Sequence, residues 1–63
     1  LVLNNLANIY LKEGNIYQAE KFYLKSIEYK KDYLVGIINI AIFYQNIGRH
    51  EEAKKFYLKA INL

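Results

Sequence analysis

The chain has 63 residues, 54% hydrophobic and 24% charged, with a net charge of +3, a balance that excludes a low-hydrophobicity disordered chain. Cysteine, proline and methionine are absent and glycine occurs three times, so no disulfide, thiolate nucleophile or cysteine zinc site exists and helix breakers are scarce. Below roughly 70 to 80 residues a single core without such a staple seldom suffices, so packing, within the chain or against neighbours, must hold it together.

The first predicted element is a helix near 1–13, where Leu3, Leu6, Ala7 and Tyr10 recur at i, i+3, i+4 and i+7. Gly14 sits just past its end, where the left-handed backbone is cheap for glycine, and Asn15 is placed to cap the next helix. That second helix, near 17–30, carries Ala19, Phe22, Tyr23 and Ser26 or Ile27 on its apolar side. Asp32 is the expected N-cap of a third helix near 34–47. Within it, Leu34 to Tyr44 is nearly apolar but is interrupted by Asn39 and falls short of the ~20 residues of a membrane span. Gly48 repeats the glycine signal, Arg49 stands where the cap would be, and a fourth helix near 51–62 opens on Glu51 and Glu52, which favour its positive N-terminus.

These four patterns are one pattern twice. Shifted by 34 residues the chain matches itself at 11 of 29 positions, against 4 of 30 at a shift of 33 and 1 of 28 at 35. The pairs include Asn5/Asn39, Ala7/Ala41, Tyr10/Tyr44, Gly14/Gly48, Ala19/Ala53, Phe22/Phe56, Tyr23/Tyr57 and Ile27/Ile61. The alanines permit close helix approach and Tyr10, Tyr23, Tyr44 and Tyr57 fill the wider gaps.

The two units read Leu3-x2-Leu6-Ala7-x2-Tyr10, Gly14-x4-Ala19, Tyr23-x2-Ser26-Ile27 and Ile37-x2-Ile40-Ala41-x2-Tyr44, Gly48-x4-Ala53, Tyr57-x2-Ala60-Ile61. In period, glycines and small residues this resembles the tetratricopeptide repeat (TPR) over the whole chain. The departures are aliphatic residues at the tryptophan position, Ile16 and His50 at the second tyrosine position, and Lys31 in place of the inter-repeat proline. Losing that proline leaves the junction at Lys30 to Tyr33 less rigid. The fold expected is all-α: two antiparallel helix-turn-helix repeats, 1–33 and 34–63, stacked as a right-handed TPR solenoid. Its second repeat is C-terminally incomplete, without a capping helix.

About three repeats are usually needed for a stable stack, and here apolar residues stand at both ends, Leu1 to Leu3 and then Ile61 and Leu63. With no methionine, the chain reads as a fragment or processed segment of a longer array, or as a unit whose copies associate into a homo-oligomer.

The resemblance implies a concave groove lined by the first helix of each unit: Asn4, Asn5, Asn8, Leu11 and Lys12, then Val35, Ile38, Asn39, Ile42, Gln45 and Asn46. Asn4 and Asn8 correspond to Ile38 and Ile42, so such a groove turns from amide-lined to aliphatic along its length, suiting a peptide backbone at one end and an apolar side chain at the other. On a solvated face the asparagines equally reflect a compositional bias. Val35, Ile38 and Ile42 leave the third helix apolar on a side that a lone two-repeat unit exposes, to be covered by a ligand, a neighbouring repeat or another copy. Asn8 and Asn39 match the two asparagine positions of the family's carboxylate clamp for acidic C-terminal tails. Asn4, however, stands where its first lysine belongs.

The function implied is a non-catalytic module binding an extended peptide or partner helix in that groove. The alternative is a structural, self-assembling helical unit. Nucleic-acid binding by the basic row Lys21, Lys25, Lys55 and Lys59 is less favoured, since Phe22, Tyr23, Phe56 and Tyr57 fit the interior and Glu20 and Glu28 dilute the row. An enzyme is the least favoured class. There is no phosphate-cradling glycine loop, no histidine beside a serine nucleophile, and Ser26 replaces a core alanine of the repeat, while His50 packs or is solvated at a turn. No cofactor or metal is expected, and no membrane contact. The lack of cysteine, signal and transmembrane segments fits the cytoplasm.

Overall fold

A computed structural model describes residues 2–28 and 33–62. The described residues form four α-helices, α1 (Val2–Lys12), α2 (Ile16–Ser26), α3 (Tyr33–Asn46) and α4 (His50–Ile61), in a flat body of 32 × 26 × 12 Å. Asp32 and the Lys30 to Asp32 part of the junction lie outside the described residues.

Both helix-turn-helix corners are built alike. At the first, the Asn15 N–H donates to the Tyr10 carbonyl at 2.9 Å and the Gly14 N–H to the Leu11 carbonyl at 3.0 Å; Arg49 and Gly48 repeat this with Tyr44 and Gln45 at 2.9 and 3.2 Å. Gly14 (φ 80°) and Gly48 (φ 85°) hold the left-handed position of this Schellman closure, and added Cβ atoms would meet nothing within 4 Å. Gly14→Ala is therefore expected to cost only the backbone strain, ~1–2 kcal/mol, read as a drop in the urea midpoint with an unchanged slope.

The two N-caps then differ. Asn15 Oδ1 accepts from the Gln18 N–H at 3.2 Å, whereas Arg49 has no acceptor and makes no side-chain cap. Its guanidinium instead clamps Glu52 in the first turn of α4, at 3.1 Å from Nε and 2.7 Å from Nη2. The α2 helix stops at Ser26, earlier than its apolar pattern suggests. Ser26 Oγ donates to the Tyr23 carbonyl at 2.7 Å, competing for the acceptor of the next helical bond, and the Glu28 N–H closes a tighter turn onto the Lys25 carbonyl.

Packing runs α1 on α2, α3 on α4, and α2 on α3 across the repeat boundary. Ala7, Ala19, Ala41 and Ala53 are buried where helices approach. Tyr10 stacks on Phe22 within the first repeat, with centroids 5.5 Å apart. A second chain of rings crosses the boundary: Tyr23 to Phe43 at 5.0 Å, Phe43 to Tyr44 at 5.3 Å and Tyr44 to Phe56 at 5.7 Å. Tyr23 and Tyr44 are buried, while Tyr10 and Tyr57 are half-buried against the same core.

Gly36 sets how closely α3 approaches the end of α2. A Cβ there would stand 2.7 Å from Ile27 Cγ2 and 3.2 Å from Ser26 Oγ, so only glycine fits without displacement. At the other end of this seam Glu20 joins three elements. It accepts from the Tyr44 hydroxyl at 2.7 Å and from Arg49 Nη1 at 3.2 Å, and the Arg49 guanidinium lies 4.8 Å from the Tyr44 ring centroid.

Burial, with the Glu20 carboxylate beside it, pushes the Tyr44 hydroxyl well above the ordinary phenol range. A phenol with a raised folded pKa adds stability that is complete below the unfolded value near 10 and is lost as pH rises beyond it. Stability is thus expected to fall above about pH 10, and Tyr44→Phe to flatten that fall, in urea melts between about pH 9 and 11.

Repeat-equivalent positions are not equally buried, and the difference marks the seam. Phe43 is buried while its counterpart Ile9 is 53% exposed; Gly36 is buried while Val2 is 81% exposed. On the opposite side, Tyr23 is buried and Tyr57 half-buried, and Ile27 is half-buried where Ile61 is 77% exposed. The seam closes one face of α2 and one face of α3, leaving the matching faces of α4 and α1 open.

Candidate functional site

Two exposed stripes run along the helices that open each repeat. On α1, Asn5, Asn8 and Lys12 stand at i, i+3 and i+7; on α3, Val35, Ile38 and Ile42 repeat that spacing, followed by Gln45 and Asn46. Three exposed aliphatic side chains on one helix side are unusual beside a packed core, and each loses contact with water only if something covers it. Asn39, the counterpart of Asn5, is half-buried at the edge of this stripe.

Two amides of the stripes are held from behind by tyrosines of the second helices. The Tyr23 hydroxyl donates to Asn8 Oδ1, and the Tyr57 hydroxyl donates to Gln45 Oε1 at 2.8 Å. Each bond engages the amide oxygen and leaves the NH2 group as a free donor among the described residues. Burial also raises the Tyr23 hydroxyl above its ordinary value, so it remains a donor at neutral pH. Lys12 is the cation of the α1 stripe, and its exposed position keeps its charge screened by water.

Two of the expected lining residues do not belong to the open surface. Asn4 is 3% exposed and neither polar atom of its side chain finds a partner, so it lies in the packed part of the molecule. Its counterpart Ile38 is exposed, so the same place in the two repeats is not equally covered. Leu11 is half-buried and packs against the core, contributing an edge at most. With Asn4 buried where the clamp's first lysine belongs, the fragments of a carboxylate clamp do not assemble.

The backing tyrosines and the Glu20 junction carry no local sequence signal, because their partners are 12 to 29 residues away. The periodicity of α2 and α4 marks Tyr23 and Tyr57 as interior, but not that their hydroxyls emerge at the far side.

Lys21, Lys25, Lys55 and Lys59 are exposed on α2 and α4. Phe22, Tyr23, Phe56 and Tyr57 offer no free stacking platform, since Phe22 and Tyr57 pack against the core, Tyr23 and Phe56 are buried, and Lys59 Nζ lies 5.4 Å from the Phe56 ring centroid; Tyr17, one turn before Lys21, is the exposed ring beside the row. Among the described residues no helix is long and apolar enough to cross a membrane, and no group of three His, Asp or Glu side chains could hold a metal.

A family model described as tetratricopeptide repeat matches residues 2–33 and again residues 37–63. The chain belongs to the tetratricopeptide repeat family. TPR units serve in general as non-catalytic modules of protein interaction, and the four helices with their glycine corners are the helical repeat that the match implies. Neither the curated proteins nor the solved structures give a match to this TPR chain.

Proposed function

We propose that the chain binds a protein segment, as an extended peptide or a partner helix, along the α1 and α3 stripes, without catalysis. The observation that carries this reading is the pairing of exposed aliphatics, Val35, Ile38 and Ile42, with amide donors held by Tyr23 and Tyr57. Backbone carbonyls of a ligand find donors at Asn5, Asn8 and Gln45, and an apolar side chain finds Ile38 and Ile42. Lys12 and Asn46 border the surface. The lack of cysteine agrees with a cytoplasmic setting.

Peptides selected from a random library for affinity to the chain provide the test. Ile42→Ser is expected to weaken their binding by roughly 10- to 100-fold, the worth of one buried aliphatic side chain, and Asn8→Ala by a smaller factor. Leu24→Ser, on the exposed side of α2, is expected to leave affinity unchanged. Selected peptides indifferent to Ile42→Ser would sink the reading.

The self-assembly alternative rests on the open ends, where Val2, Ile9, Leu58 and Ile61 are exposed. Light scattering after size exclusion separates the two. A monomer at all concentrations removes self-assembly, and an oligomer that hides the stripes removes the peptide reading.

A further inference from the structure

The outer sides of α2 and α4 carry one pattern twice, Lys21-x2-Leu24-Lys25 and Lys55-x2-Leu58-Lys59, and the stripes of α1 and α3 do not use it. These residues stand opposite Ala19, Tyr23 and Ser26 on α2 and opposite Ala53 and Phe56 on α4, the buried sides of the two helices. Each of them is exposed, Leu24 by 38% and Leu58 by 51%.

That exposure does not depend on which neighbour a repeat has. The first repeat packs against its follower and the second against its predecessor, so the two copies of the pattern see opposite neighbours, yet the same three positions are open in both. Positions that do respond to a neighbour behave otherwise, as the buried Gly36 and the exposed Val2 show.

The charge of this face is also uncompensated. Glu28 follows Lys25 by three residues and Glu51 precedes Lys55 by four, spacings at which helix side chains meet, but no ion pair among the described residues engages Lys21, Lys25, Lys55 or Lys59. Glu52, three residues before Lys55, is held by Arg49 at 2.7 Å instead. Each exposed leucine thus lies between two unpaired cations.

We propose that the outer face of α2 and α4 is a second docking surface, for an acidic protein segment in which Asp or Glu side chains flank an apolar residue. Its carboxylates meet the four lysines, and its apolar side chain covers Leu24 or Leu58. A nucleic acid fits less well. The element that recurs with the lysines is leucine, whereas Tyr17, the exposed ring beside the first triplet, gives way to Glu51 in the second unit. A bilayer also fits less well, because two partly covered leucines offer little to insert and Glu28 and Glu51 are exposed beside the lysines. The surface shares no residue with the α1 and α3 stripes and stands whether or not they bind a ligand.

The probe is a fluorescent synthetic peptide with two leucines one helical turn apart, each flanked by glutamates, and anisotropy on the intact chain reads its affinity. At low salt the paired Lys21→Glu and Lys25→Glu change is expected to weaken binding by about tenfold or more. Leu24→Ser in the chain, or serine for both leucines of the peptide, is expected to weaken it by about three- to tenfold. Ile42→Ser is expected to leave it unchanged, the reverse of the order expected for library-selected peptides, so failure of one reading is distinct from failure of the other. The substituted side chains of α2 are exposed, so helical circular dichroism is expected to be unaltered. Four outcomes would each overturn the proposal: no binding of the peptide, loss with the lysines but not with the leucines, sensitivity to Ile42→Ser, or tighter binding of a single-stranded oligonucleotide or of equimolar phosphatidylserine–phosphatidylcholine vesicles than of the peptide.

Discussion

Phe43→Ala is expected to destabilise the chain by about 3–5 kcal/mol, while Ile9→Ala, at the equivalent position of the first repeat, is expected to cost less than ~1 kcal/mol. Phe43 is wholly buried and its ring contacts both Tyr23 and Tyr44, so its removal opens a cavity between the repeats and breaks the aromatic chain joining α2 to α4. Ile9 is 53% exposed and loses little when shortened. For a chain of this size total stability is roughly 3–9 kcal/mol, so Phe43→Ala removes about a third of it or more. Urea melts of the two variants decide the matter. Equal losses would mean that the seam between the repeats does not hold the molecule together.

Gly36→Val carries the second large effect. Most glycines inside helices cost stability relative to alanine, but here the missing Cβ is what lets α3 reach Ile27 and Ser26. Valine adds a Cβ 2.7 Å from an Ile27 methyl carbon and two further methyls beyond it, and overpacking of this kind costs ~1–3 kcal/mol, outweighing any gain in helix propensity. The expected result is a thermal midpoint lower by ~4–8 °C for each kcal/mol lost, with helical circular dichroism retained at low temperature because neither α1 on α2 nor α3 on α4 is touched. A Gly36→Val chain as stable as the parent would show that the two helix pairs are not locked at this point.

The repeat was open to reading from residues alone because its signals are local or strictly periodic. Gly14 and Gly48 hold positive φ where the 34-residue shift aligns them, Asn15 caps α2, and the four repeated alanines are buried. What periodicity cannot carry is the difference between a repeat with a neighbour and one without. Asn4 and Ile38 hold the same place in their units, yet the amide is covered and the aliphatic is open, so a groove drawn by equivalence placed Asn4 wrongly. Phe43 and Ile9 make the same point in the core. The Glu20 junction with Tyr44 and Arg49 depends on three elements meeting, and nothing in the spacing of those residues announces it.

The candidate surface was legible in part. Asn5, Asn8, Lys12, Val35, Ile38, Ile42, Gln45 and Asn46, which the resemblance assigns to a groove, are exposed on α1 and α3. That Asn8 and Gln45 are backed by tyrosine hydroxyls from the second helices was not legible, since those tyrosines read as core.

The account rests on the α1 and α3 stripes being the surface that meets a partner. Amide chemical-shift mapping of the isotope-labelled chain with a library-selected peptide tests this most directly. The predicted result is perturbation concentrated at Asn5, Asn8, Lys12, Ile38, Ile42 and Asn46, with the side-chain NH2 signals of Asn8 and Gln45 moving as well. Perturbation concentrated on Lys21, Lys25, Lys55 and Lys59, with the stripes unmoved, would contradict it.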